Sequence, residues 1–541
     1  MAVDKVWNKL WIESDSIAVI LAVKVLASFG REEVVLAESE ITMAVVVPSV
    51  LLQFLVYTSF IVFVSLLCFG EKSFAYGRDE VSESIHQSTV HVIVVSTILP
   101  PKSCSSFTSF KDRRSIPLLK IVHRHSPCSG SFHPEGQKKR ATTNQILSTE
   151  QILHQDQIRV ESLHYKLSNK SKMSQEQSSK ATVLPAKSGV SLGTGNYIVR
   201  VGFGTPKKYL SLMFDTGSDL TWIQCKPCVR YCHEQQESIF NPSESTSYSN
   251  ITCNTSECSQ LKSATGNTPA CGSSSTCIYG IQYGDQSFSV GYFGRETLTL
   301  TPRDVFNNFR FGCGQNNRGI FGKTAGLLGL GRNELSFVSQ TSQKYGGRFS
   351  YCLPSSSSSV GYLAFGVDRS VSSTVKFTPM VIDSRGPSFY FLEIIEINVG
   401  DRKLEISASV FSFSGMIIDS GTVITRLPKT AYTSLQSAFQ QLMSSYPSAK
   451  PLSILDTCYN FTDYDEVNIP KISMLFKGGV TLDLDPSGIL IGASASQVCL
   501  AFAGNQDDKD VGILGNKQQQ KLEVIYDVAR SRLGFVPGIC K

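Results

Sequence analysis

One two-part pattern occurs twice in this chain, and it constrains the fold more than any other feature. Leu212-Met213-Phe214-Asp215-Thr216-Gly217-Ser218 is echoed by Met416-Ile417-Ile418-Asp419-Ser420-Gly421-Thr422. The first copy is followed by Gly326-Leu327-Leu328-Gly329 and the second by Gly512-Ile513-Leu514-Gly515. The intervals from Asp to the second Gly are 114 and 96 residues. Two copies of one pattern, in the same order, predict two similar lobes.

The texture around the repeats is that of a β protein. From Gly195 onward, short apolar runs such as YIVRVGFGTP, FYFLEIIEINVG and LEVIYDVARSRLGFV alternate with Gly, Pro, Asn and Ser. Turn signals every ten residues or so indicate an all-β fold, with Lys429–Tyr446 the clearest helical pattern. We expect a lobe over 188–376 and a second over 377–541.

The region before the lobes has a different character. Residues 44–70 carry no charge and read as a secretory leader or a membrane anchor within an N-terminal segment, 1–75. The run begins just after Met43, a candidate translation start, and Ser73-Phe74-Ala75 has the small-x-small pattern of a cleavage site. Residues 76–187 read as a detachable pro-segment and linker. Within 101–188 there are 15 Lys/Arg against 6 Asp/Glu, whereas 189–541 hold 30 against 28. The basic excess therefore lies outside the lobes, as a pro-segment or a nucleic-acid contact. One amphipathic helix is predicted at Asn144–Leu167, with Ile146, Leu147, Ile152, Leu153, Ile158, Val160 and Leu163 as its apolar residues. The polar stretch Ser168–Lys180 reads as an exposed linker open to proteolysis.

The repeated unit supplies a definite chemistry. Three apolar residues bury a strand and bring its end to an Asp. The hydroxyl residue and Gly that follow, Thr216-Gly217 and Ser420-Gly421, make a tight turn whose N–H groups can approach the carboxylate. Ser218 and Thr422 are placed to hydrogen-bond the outer oxygen of their Asp. If the lobes face each other, Asp215 and Asp419 meet, and two close carboxylates hold one proton between them under acidic conditions. The ionised member can then deprotonate a water while the protonated member donates to a scissile carbonyl oxygen. This chemistry requires no metal, cofactor or covalent intermediate. A single Asp-Ser/Thr-Gly is an ordinary turn sequence; two copies in matching contexts are not.

Twelve of the fifteen cysteines lie between Cys225 and Cys540. Cys225, Cys228, Cys232, Cys253, Cys258, Cys271 and Cys277 are spaced closely enough to consider zinc. No His falls in a finger-like phase, and the even count fits disulfides in an oxidising compartment. Sequons at Asn169, Asn250, Asn254 and Asn460 agree with secretion.

Asp215-Thr216-Gly217-Ser218, Asp419-Ser420-Gly421-Thr422 and Tyr283-Gly284-Asp285 resemble the pepsin family of aspartic proteases. The Cys-rich insertion is similar to that of the plant nepenthesin-like branch, which includes apoplastic and chloroplast-nucleoid-DNA-binding-protein-like members. The resemblance covers about residues 115–541, including His123-Arg124-His125-Ser126-Pro127-Cys128. It implies a bilobal pepsin-like fold with the active-site cleft between the lobes and the dyad Asp215/Asp419. Thr216, Ser218, Ser420 and Thr422 would support the dyad. Tyr283, Gly284 and Asp285 would form a flap over the substrate, with Tyr283 hydrogen-bonded by Trp222. The chain departs from many relatives in having Gln286 where they have Gly. The resemblance further implies the pairings Cys225–Cys228, Cys232–Cys313, Cys253–Cys277, Cys258–Cys271, Cys352–Cys540 and Cys458–Cys499.

The expectation is a secreted acid endopeptidase made as a zymogen, acting on protein or peptide substrates and held latent by its own pro-segment. The mature chain would be a monomer in the cell wall space, glycosylated at Asn250, Asn254 and Asn460, and would bind no nucleic acid. A non-catalytic inhibitor of the same fold would have lost an Asp, and both are present. A nucleoid protein would carry a Ser/Arg-rich transit peptide, and the leader is an uncharged apolar run.

Overall fold

A computed structural model describes residues 89–99, 118–123, 148–173 (side chains to 168), 197–283, 286–319, 321–354, 360–366 and 375–537. The apolar run 44–70, Gly284, Asp285 and Cys540 lie outside them. The all-β reading is borne out: strands dominate, and the largest sheet has fifteen of them.

The two halves of each repeat lie side by side. Tyr197–Phe203 and Lys208–Asp215 pair antiparallel, and Gly326–Gly329 runs parallel to the second strand with Gly326 opposite Leu212 and Gly329 opposite Asp215. The other lobe repeats the register, Met416–Ile418 running parallel to Gly512–Leu514 with Met416 opposite Gly512. The glycines of the second element are required by this packing. A Cβ at Gly326 would lie 2.0 Å from the Trp222 carbonyl oxygen, and one at Gly329 would lie 2.1 Å from that of Asp219.

The strand Leu118–His123 sits inside the fifteen-stranded sheet, between Gly361–Phe365 and Tyr197–Phe203. The C-terminal hairpin of Leu522–Asp527 and Arg532–Pro537 joins the same sheet through Arg348–Cys352. The second lobe adds sheets of five, four and three strands. Its helix Lys429–Leu442 buries Ala431, Tyr432, Leu435 and Phe439 at helical spacing.

The segment predicted as one amphipathic helix is a helix over Thr149–Met173. Ser148 and Gln151 form a capping box at its start: Ser148 Oγ accepts from the Gln151 N–H and Gln151 Oε1 from the Ser148 N–H; Ile146 and Leu147 of the predicted segment lie outside the described residues. The helix runs into Ser168–Lys180, which had read as linker; no Gly or Pro interrupts that stretch. Its apolar face is Leu153, Val160, Leu163 and Leu167, whereas Ile152 and Ile158 are only half-buried. Leu153 packs with Ile424, Leu455 and Ala501. Val160, Leu163 and Leu167 pack with Phe389, Phe391, Ile417 and Ile513. Upstream, Val90–Val94 adds a strand to Glu466–Pro470.

Cys458–Cys499 forms as expected, while the Cys-rich insertion pairs differently. The bonds are Cys225–Cys313, Cys228–Cys232, Cys253–Cys271 and Cys258–Cys277. Cys225 follows the strand Trp222–Gln224, which runs parallel to Asp304–Arg318, and its N–H donates to Gly314 O, so it faces Cys313. Cys228 and Cys232 then close a short loop. Cys271 and Cys277 stand opposite each other across two strands. The buried Cys277 meets the buried Cys258 of helix Ser256–Thr265, leaving the exposed Cys271 to Cys253. Cys352 is disulfide-bonded; its expected partner Cys540 lies outside the described residues.

Candidate active site

The first apolar strand of the repeats ends on Asp215 and the second stops one residue before Asp419, and both carboxylates are buried. The Gly217 N–H donates to Asp215 Oδ1 at 3.0 Å and the Gly421 N–H to Asp419 Oδ1 at 3.1 Å. The intervening hydroxyl residues lock the two turns together. Ser420 Oγ accepts from the Thr216 N–H at 3.1 Å, and Thr216 Oγ1 accepts from the Ser420 N–H at 2.9 Å. The reciprocal pair ties lobe to lobe next to the carboxylates. Asn516 reinforces the second turn, its side-chain amide donating to Ser420 O and its N–H to Thr422 O.

The two hydroxyls expected to support the carboxylates behave differently. Thr422 Oγ1 donates to Asp419 Oδ2 at 2.6 Å. Ser218 Oγ is buried without a partner among the described residues, and Asp215 Oδ1 meets a side chain from before the lobes.

That side chain is Arg159, from the helix Thr149–Met173. Its Nη2 donates to Asp215 Oδ1 at 2.8 Å and Asp419 Oδ1 at 3.0 Å, and its Nε donates to Asp419 Oδ2 at 2.9 Å. One guanidinium thus spans the pair, with its side chain 8% exposed. Burial alone would lower the Arg159 pKa, but the charges of Asp215 and Asp419 win and raise it. Asp419 is shifted up, first by burial, against the lowering pull of Arg159 and with a further rise from Asp215.

Glycine is required at the second turn by space. A Cβ on Gly421 would lie 2.3 Å from Arg159 Nη2 and 2.7 Å from Asp215 Oδ1. Gly421→Ala is therefore expected to push the carboxylates apart, lower peptide hydrolysis and destabilise the fold by about 1–3 kcal/mol, a typical overpacking cost. Peptide hydrolysis alongside thermal unfolding checks this, since a folded, fully active variant would contradict it.

Tyr283 lies at a hairpin turn, its N–H donating to Ser287 O while its carbonyl accepts from Gln286. Trp222 Nε1 donates to the Tyr283 hydroxyl at 2.8 Å, and the ring of Phe321 packs edge-on to both. Gln286 holds φ +62°, a left-handed conformation that Gly adopts without penalty. This is the physical meaning of the departure at that position.

One turn before Arg159 the helix makes a second polar contact. Asp156, fully buried, accepts from the Val423 N–H at 2.5 Å, the Ile424 N–H at 3.1 Å and Arg426 Nη2 at 3.0 Å. Arg159, Asp156 and Arg426 went unnoticed in the sequence. The available signal was charge on the apolar face of an amphipathic helix: Asp156 lies between Leu153 and Val160 at spacings of three and four.

The chain matches the family descriptions Xylanase inhibitor N-terminal over residues 197–367 and Xylanase inhibitor C-terminal over 389–537. The fold and paired Asp-Thr/Ser-Gly turns define the pepsin class, and the chain belongs to its plant nepenthesin-like aspartyl proteases. It is 52% identical to an aspartyl protease family protein of Arabidopsis thaliana over 83% of this chain and 93% of that protein. It is 46% identical to the aspartyl protease AED1 of the same plant, over 86% and 96%. Aspartic proteinase nepenthesin-2 of Nepenthes gracilis is 39% identical over 64% and 78%. The crystal structure of basic 7S globulin from soybean, 22% identical, shares the fold at a TM-score of 0.51 over 64% of this chain and 92% of that one. The chain is an aspartic endopeptidase acting on peptide substrates.

Proposed function

We propose that Asp215 and Asp419 are the catalytic dyad of a secreted zymogen. Asp215 and Asp419 share a proton, one activating the water and the other donating to the scissile carbonyl oxygen. Thr422 supports Asp419, and Ser218 takes the matching place beside Asp215 once Arg159 withdraws. Tyr283, oriented by Trp222, closes over the substrate and excludes water. In the precursor the segment before Tyr197 is an intramolecular inhibitor, released by cleavage within the polar stretch 174–187. The mature protein is monomeric, N-glycosylated at Asn250, Asn254 and Asn460, and located in the cell wall space. The observation that carries this reading is the Arg159 guanidinium on both carboxylates, where the water and the scissile bond would have to be.

Purified precursor tests it directly. At neutral pH it is expected to be latent. Acidification should yield a shorter chain starting between 174 and 197, with activity blocked by a statine-type inhibitor whose hydroxyl mimics the tetrahedral intermediate. Full activity of the uncut chain at neutral pH would refute the zymogen reading. N-terminal sequencing and deglycosylation of protein recovered from extracellular fluid check secretion.

A further inference from the structure

Arg426 is a buried cation, and its ion pair is with the helix that must leave. Its Nη1 donates to Ile424 O at 2.9 Å, a backbone carbonyl. Its Nη2 reaches Asp156 and Gln157, both on the helix. Burial pulls the Arg426 pKa down, and the opposing charges are Asp156 and Glu161, again both on the helix. The Val423 and Ile424 N–H groups converge on the same Asp156 carboxylate. Three donors of the catalytic domain therefore outline one carboxylate, four to seven residues past Asp419 in the chain.

We infer that Arg426, with the Val423 and Ile424 N–H groups, is a substrate subsite for an acidic side chain, which Asp156 fills in the precursor. The inference rests on the proposed departure of the helix. Once it departs, a guanidinium and two N–H groups line the cleft wall without their carboxylate. A substrate Asp or Glu restores those bonds; Asn, lacking the charge, restores only part of them. Asp156 precedes Arg159 by three residues, a rise of about 4.5 Å along a helix. An extended peptide advances about 3.3 Å per residue. The acidic residue therefore belongs within about three residues of the scissile bond, on one side of it only.

The test uses acid-processed protein and a peptide series with Asp or Asn at each of three positions on either side of one cleavable bond. A single position is expected at which Asp raises kcat/KM about ten- to hundredfold over Asn, as suits a charge-assisted site. In Arg426→Gln that ratio should fall towards one. Equal cleavage of Asp and Asn peptides at every position by active wild type would overturn the inference, as would a preference undiminished in folded Arg426→Gln. A second measurement needs no variant enzyme: a synthetic 149–173 peptide should bind the processed protein at least about tenfold more tightly than its Asp156→Asn form, and equal binding also overturns the subsite. A processed protein that cleaves no peptide would contradict the proposed function instead, and the binding measurement would still judge the subsite.

Discussion

Asp215→Asn and Asp419→Asn are each expected to lower peptide cleavage by about three orders of magnitude or more, the scale of a lost general acid or base. The exchange leaves volume almost unchanged, and the amide oxygen can still accept from the Gly217 or Gly421 N–H. The reciprocal Thr216–Ser420 bonds between the turns involve neither carboxylate, so the variants should fold. The pKa shift sharpens the expectation. Asp419 is raised, foremost by burial, so its folded value lies above the unfolded one. Stability linked to it is present at low pH and lost as pH rises through the folded value. With the helix seated, Asp419→Asn should therefore be no less stable than wild type near neutral pH, and its advantage should shrink as pH falls. Hydrolysis assays and thermal unfolding at both pH values check the pair of effects. Substantial activity in purified Asp215→Asn would refute the dyad.

The lobes and turns were legible because their determinants are local. An Asp at the end of three apolar residues, followed by a hydroxyl residue and Gly, specifies strand and turn within a few positions. The distant apolar-apolar-Gly echo was legible because only glycine tolerates the approach at Gly326 and Gly329. Cysteine connectivity was not, because it depends on which faces two strands and a helix present. Cys271 and Cys277 are cross-strand neighbours that bond elsewhere, since one is exposed and the other buried under Cys258. The role of Arg159 was hidden for a related reason. It is one of 15 basic residues in its segment, and what sets it apart is the pair of carboxylates brought to it by two distant loops. The basic excess had pointed to diffuse attraction; the structure shows a single guanidinium bonded to both aspartates.

Arg159→Gln in the full-length precursor is expected to flatten the pH dependence of acid-induced shortening, because the charge that couples protonation of the pair to the helix is gone. The wild-type dependence follows from linkage. Arg159 pulls the Asp419 carboxyl down against the rise caused by burial and by Asp215. With the helix seated, protonation of the pair is resisted; with Arg159 withdrawn it is easier, so acid favours the open form. Removing the guanidinium also leaves two buried carboxylates uncompensated, at a cost of about 3–5 kcal/mol for a broken buried pair. That cost falls below the gross gain from burying Leu153, Val160, Leu163 and Leu167, about 6–12 kcal/mol at the usual value per side chain. The variant helix should therefore remain docked at neutral pH, though less firmly, and acidification, which neutralises the two uncompensated carboxylates, should not release it earlier than in wild type. Arg159→Lys, which keeps the charge but loses the fork that bridges both carboxylates, should lie between the two. Gel mobility and statine-sensitive activity across a pH series read the dependence. An unchanged pH dependence in Arg159→Gln would remove Arg159 from the latch and leave the apolar face alone to hold the helix.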